Sequence, residues 1–149
     1  MSSVALSSSA PPETRAVDRG RFALAGLATV AAAVAANVLV YLAGSALVGY
    51  DSRFLPLANA GGTVLFTLVP AIVAVLLYAL LLRLGGDPAR RFTIVAGVAL
   101  VLSLIPDFTY IPTVAGATAG QTAILVLMHV VAAGVIVGML TALARPHGR

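Results

Sequence analysis

The sequence predicts an all-α membrane protein, a four-transmembrane-helix bundle with both the N-terminus and the C-terminus cytoplasmic. Three observations predict it. First, 60% of the 149 residues are hydrophobic and 9% are charged, with a mean hydropathy of +1.06, whereas soluble domains carry about 25% charged residues. So few charges cannot cover a water-soluble surface. Second, the apolar residues gather into four runs, each close to the about 20 residues that a helix needs to cross a bilayer. Third, the arginines sit at alternate ends of those runs.

The runs can be taken in chain order. Residues 1–21 are rich in Ser, Ala and Pro without apolar periodicity and read as a disordered cytoplasmic tail. The first span is expected over residues 22–48. It is much longer than the about 7 to 15 apolar residues of a secretory signal, which favours a retained anchor; the small residues Ala43, Gly44, Ser45 and Ala46 keep cleavage as the alternative. A loop punctuated by Gly, Pro and Asn leads to the second span, residues 63–84, with Pro70 inside it. The segment from Arg83 to Arg91 is a short basic turn. The third span, residues 92–112, meets Pro106 after 14 residues, a length of about 21 Å as helix. It therefore either continues through Pro106 with a kink or stops short of the far surface. Residues 121–144 form the fourth span, and 145–149 a basic tail. The three parts together make one transmembrane domain over residues 22–144 flanked by two tails.

Orientation follows from the arginines, which account for all nine basic Lys or Arg residues. With the N-terminus inside, Arg15, Arg19, Arg21, Arg83, Arg90, Arg91, Arg145 and Arg149 are cytoplasmic and Arg53 alone lies outside. Positive residues resist translocation, so this eight-to-one bias sets the topology and places the chain in the cell membrane. The same bias explains the net charge of +4 without nucleic acid.

Helical spacing marks the faces that look inward. They are Ala33, Asn37, Tyr41 and Gly44 in the first span, and Thr63, Thr67, Ala74 and Tyr78 in the second. Ser103, Asp107 and Tyr110 align in the third if the helix continues, and Thr122, Leu125, His129 and Ala133 in the fourth. Asn37, Thr67, Asp107 and His129 each stand 16 residues from Arg21, Arg83, Arg91 and Arg145 respectively, or about 24 Å along a helix. One polar group per span thus reaches a common level in the outer half of the membrane. Ionisable groups at such depth often serve ion paths or ligand sites. The plainer reading, which carries more weight, is a polar tie between packed helices.

The fourth span also holds Gly134-Val-Ile-Val-Gly138, extended by Ala142, a small-residue face that permits close helix approach. Homodimerisation is one use; packing within one subunit is the preferred one.

Enzymatic chemistry finds little support. There is no cysteine, so thiolate catalysis, iron–sulfur clusters and thiolate zinc sites are excluded. A transmembrane haem needs two axial ligands and the spans contain one histidine, His129. Ser103 and His129 lack a nucleophile motif or oxyanion loop, and the paired glycines at 61–62 and 85–86 lack a phosphate-loop pattern. No catalytic residue, metal ligand or cofactor is assigned.

Ala36-Asn37, Phe54-Leu-Pro-Leu57, Leu102-Ser103 before Pro106, and Met128-His129 together resemble an uncharacterised family of four-span bacterial membrane proteins, actinobacterial in type, over roughly residues 22–144. The resemblance implies a fold and a membrane location and carries no assigned activity. Its pattern has an apolar residue after the proline, so Asp107 is not carried over from it. The reading that follows is a multi-pass membrane protein, a non-enzymatic structural or accessory subunit. The alternative is a small oligomeric transporter or ligand-binding protein that uses the polar layer. Its expected partners are the lipid bilayer and either a second copy or another membrane protein.

Overall fold

A computed structural model describes residues 19–144; the expected tails at 1–18 and 145–149 lie outside the described residues. The chain forms four long helices, α1 (Arg19–Val48), α2 (Ala60–Arg83), α3 (Pro88–Thr109) and α4 (Ala119–Leu143), and no strand among the described residues. Each is long and apolar enough to cross a membrane. With no water to satisfy a backbone in lipid, helices that close their own hydrogen bonds are what such sequences form.

Local chemistry sets where three of the helices begin. Asn59, Asp87 and Thr118 are N-caps whose side-chain oxygens accept from the amides of Gly62, Arg90 and Gln121 at 3.0, 3.0 and 3.2 Å, using donors a helix start leaves open. Pro88 follows Asp87 at the first position, where its missing N–H costs nothing. The α2–α3 turn holds Gly85 and Gly86 at φ +68° and +78°, a backbone that other residues rarely adopt. The Arg91 guanidinium bonds the Gly85 carbonyl at 2.9 Å and fastens the turn. The helices start about three residues earlier than the apolar runs, because caps and basic residues that hydropathy leaves out still carry helical backbone.

The third helix passes through Pro106 and ends at Thr109. The Tyr110 amide bonds the Pro106 carbonyl at 2.9 Å, and a single 3₁₀ turn follows at Ile111–Thr113. Continuation keeps Asp107 on the inner face, buried at 4% exposure. Tyr110 departs from the expected stripe: it is 65% exposed. The helix ends before it, so the α-helical period no longer governs where it points.

The four helices alternate in direction, so the starts of α1 and α3 and the ends of α2 and α4 share one end of the bundle, the arginine-rich end. α1 packs most extensively, against α4 and α2, and α3 leans on α4 more than on α2. Two apolar cores result. One lies toward the arginine-rich end around Ala33, Ala71, Tyr78, Phe92, Ile136 and Leu140, where the Tyr78 and Phe92 rings meet edge to face at 5.1 Å. The other closes the opposite end around Phe54, Leu57, Ile111 and Met128.

Candidate functional site

Between the two cores lies the polar layer. The Asn37 Nδ2 of α1 donates to Thr67 Oγ1 of α2 at 2.9 Å, and Thr67 in turn donates to the Thr63 carbonyl at 2.8 Å. This chain fixes the amide: Thr67 spends its proton on Thr63 and must accept from Asn37, which leaves Asn37 Oδ1 facing outward from the pair. Across the bundle, His129 Nδ1 of α4 lies 2.9 Å from the Leu125 carbonyl and 3.1 Å from Asp107 Oδ2 of α3. The Leu125 carbonyl can only accept, so Nδ1 is the ring nitrogen that carries the proton. Its direction favours Leu125. Asp107 Oδ2 is in close electrostatic contact with the ring but accepts no hydrogen bond of proper geometry.

All four residues line one cavity of about 770 Å³ between α2, α3 and α4. Its walls are otherwise apolar, running along α2 from Thr63 to Leu77 and along α3 from Phe92 to Ile111, with Leu125 to Val137 of α4 behind them. Phe66 and Val73 of α2 and Val95 of α3 lie on its rim and are exposed. The cavity is thus a lateral cleft between α2 and α3, closed near the α2–α3 turn by Tyr78 and Phe92. It is comparable in size to a small-molecule site of about 300 to 1,000 Å³. Three buried side-chain atoms of its lining have no hydrogen-bond partner: Asn37 Oδ1, Thr63 Oγ1 and Asp107 Oδ2. A buried polar atom left alone costs about 1 to 3 kcal/mol, and here three gather in one place. Asp107 also borders a second cavity of about 670 Å³ between the end of α3 and the start of α4, lined by Phe108, Pro112, Thr118 and Thr122.

Three of the stripe residues expected on α4, Leu125, His129 and Ala133, line the cleft, and Thr122 lines the second cavity. Ser103 lines the cleft and donates to the Leu100 carbonyl at 2.7 Å. Gly134, Gly138 and Ala142 differ from the preferred expectation of packing within the subunit. They are exposed, and a Cβ added at either glycine meets nothing within 4 Å. Close helix approach falls to other glycines: Gly26 against Val75, Gly44 against Ile124, and Gly120 against Val48.

Sequence reading missed the clasp that roofs the site. Gln121, 2% exposed, takes the amide orientation that lets it donate to the Gly116 carbonyl and accept from the Asp51 amide, both at 3.0 Å. It ties the α1–α2 loop to the α3–α4 loop. Beside it, Tyr50 donates to the Tyr41 carbonyl at 2.8 Å; burial, then the nearby Tyr41, pushes the Tyr50 pKa up and keeps it a donor. A glutamine at the start of an apolar run was the only signal, and loop-to-loop pairing has no period that would reveal its partners.

Neither a curated protein nor a solved structure matches the chain. Residues 17–146 match the family of unknown function DUF6069, a span that covers all four helices long and apolar enough to cross a membrane, and the chain belongs to that family.

Proposed function

We propose that the protein is a non-enzymatic membrane protein that binds an amphipathic molecule in the α2–α3–α4 cleft, tail along the apolar walls and polar head against Asn37, Thr63 and Asp107. The observation that carries this reading is the convergence of three unpartnered buried polar atoms on one otherwise apolar cavity. Polar ties between helices normally satisfy each other; these three atoms belong to residues that line the cavity. The eight-to-one arginine bias supports a cytoplasmic arginine-rich end, and on that orientation the polar head would sit in the outer leaflet of the cell membrane.

Native mass spectrometry from mild detergent tests the reading. The wild type should retain a small amphiphile, and Ala99→Phe, which fills the cleft from the lightly packed α3, should lose it while remaining folded. Equal retention by both proteins, or none by either, sinks the idea. Because the chain has no cysteine, orientation has a direct test: a membrane-impermeant thiol reagent should modify Ser52→Cys in intact cells and Leu84→Cys only after permeabilisation.

A second reading is favoured by the exposed Gly134, Gly138 and Ala142 stripe, which none of the described helices covers. On this reading the protein is an accessory subunit, and a second copy or another membrane protein packs on α4. Replacing both glycines by leucine should then abolish a crosslinked complex; a wild type that is monomeric in cell membranes would remove this reading.

A further inference from the structure

We infer that the head group taken by the cleft is a hydrogen-bond donor without anionic charge, an ammonium or a hydroxyl head, and that phosphate and carboxylate heads are excluded. This rests on the cleft reading above and follows from where the protons of the polar layer go.

Apart from the Thr63 hydroxyl and the second Asn37 N–H, the side-chain donors of the polar layer are engaged inside the protein. The Asn37 amide donates to Thr67, Thr67 to the Thr63 carbonyl, Ser103 to the Leu100 carbonyl, and His129 Nδ1 lies between the Leu125 carbonyl and Asp107. What these lining residues have left over is the remainder of each group. Asn37 Oδ1 and Asp107 Oδ2 are acceptor oxygens, and Thr63 Oγ1 has lone pairs to offer. With Nδ1 protonated, the neutral His129 ring has an acceptor at its other nitrogen as well. Asn37, Thr63 and Asp107 are 4%, 5% and 4% exposed, so water from either surface does not reach them freely.

An anionic head has only acceptors to bring and would be set against a carboxylate and a carbonyl oxygen. No arginine among the described residues lines the cleft to receive it. An ammonium has three donors, and three oxygens lack a partner. A glycerol head has two hydroxyls and suits the same acceptors if Asp107 and protonated His129 balance one another. Among the described residues these are the only ionisable groups that line the cleft. Both head groups share the donor chemistry, and a choice between them reports the charge of the Asp107 and His129 pair.

The test uses the full-length protein in nanodiscs and three probes with equal tails: dodecylamine, monododecanoylglycerol and dodecyl phosphate. Saturable binding is read by native mass spectrometry titration. The amine or the glyceride should bind at least about tenfold tighter than the phosphate, since a hydrogen bond to a charged partner is worth about 1.5 to 3 kcal/mol. Asp107→Asn should erase most of that preference. Thr63→Val, which keeps side-chain shape and removes a hydroxyl that holds nothing in the fold, should weaken the favoured probe about fivefold and serves where Asp107→Asn fails to fold. Dodecyl phosphate binding as tightly as the other two overturns the donor-head inference and leaves the cleft as a ligand site. Failure of all three to bind a folded wild type overturns the cleft reading itself.

Discussion

α1 and α3 are both long, apolar and of a length to cross the membrane, yet they are held in different ways. α1 buries Ala25, Gly26, Thr29, Ala33, Asn37 and Gly44, spread along most of its length. α3 buries only Phe92 near one end and Asp107 near the other. Hydropathy does not distinguish them; residue size does. Ala, Gly and Thr at the α1 seam let neighbouring helices approach until side chains interlock, and in lipid this packing is a main source of association. α3 offers Val95, Val98, Val101, Leu102 and Ile105 outward, where they meet lipid at no cost. A helix pinned at two ends and bulky between them leaves space beside it. The cleft is that space, and one of the two pins, Asp107, is also its polar wall.

The largest expected effect tests the apolar pin. Phe92 is 1% exposed and packs edge to face on Tyr78, whereas Phe108 on the same helix is 65% exposed. Phe92→Ala should cost about 3 kcal/mol, and Phe108→Ala under about 1 kcal/mol, because its ring already contacts what would replace protein contacts. Equilibrium unfolding in detergent reads both. Similar losses at the two sites would mean that α3 is gripped along its length and that the contrast with α1 is false.

A smaller effect compares the two helices directly through the same substitution. An added Cβ at Gly44 of α1 runs into the Tyr50 hydroxyl and lies 3.0 Å from Ile124, while at Gly97 of α3 it meets nothing within 4 Å. Gly44→Leu should destabilise by about 2 kcal/mol through overpacking. Gly97→Leu should be neutral or slightly stabilising, since leucine is the better helix former by nearly 1 kcal/mol.

These contrasts show what was legible in the sequence. Number, order and approximate bounds of the helices were, because lipid demands long apolar runs and little else has that composition. Asn37, Thr67, Asp107 and His129 could be grouped from the sequence because equal residue counts along helices suggest equal depths, and the structure has them line one cavity as the pairs Asn37–Thr67 and Asp107–His129. The cleft was not legible. Periodicity says which face of α3 turns inward, but how closely that face approaches α2 depends on the summed sizes of side chains on two helices, and no single run records it. The passage through Pro106 was open for a similar reason: a proline in a span is compatible with either outcome, and neighbours decide. The Gly134 and Gly138 pair misled because small residues permit close contact without requiring it. Gly26, Gly44 and Gly120, which lack the GxxxG spacing, make the contacts instead.

The polar seam between α1 and α2 should yield a smaller effect again. Asn37→Leu and Thr67→Val each remove one partner of the 2.9 Å bond, and hydrogen bonds between membrane helices average about 0.6 kcal/mol in double-mutant cycles. A coupling near that value places the bond among ordinary ties. A coupling near zero would mean that Asn37 is held by α1 packing alone, which would sharpen the view that its amide is kept for the cleft.

The smallest effect separates the two carboxylates nearest the roof of the site, Asp51 outside the spans and Asp107 within them. Asp51 accepts from the Arg53 guanidinium at 2.7 Å and from its backbone amide at 2.8 Å. The side-chain bond first and the backbone bond second lower its pKa from 3.8 to about 2. A depressed carboxyl contributes stability that is fully present above pH 3.8 and fades as pH falls through about 2. Arg53→Ala should therefore return the Asp51 titration toward 3.8, read by carbon NMR on labelled aspartate, and high salt should move the wild-type value the same way. Both groups are open to water, so screening keeps the change in stability small. Asp107 is 4% exposed, and its Oδ2 lies 3.1 Å from one histidine ring without a hydrogen bond of proper geometry. The same residue type is thus a tether where water can share the charge and, on the reading proposed above, a binding position where it is buried.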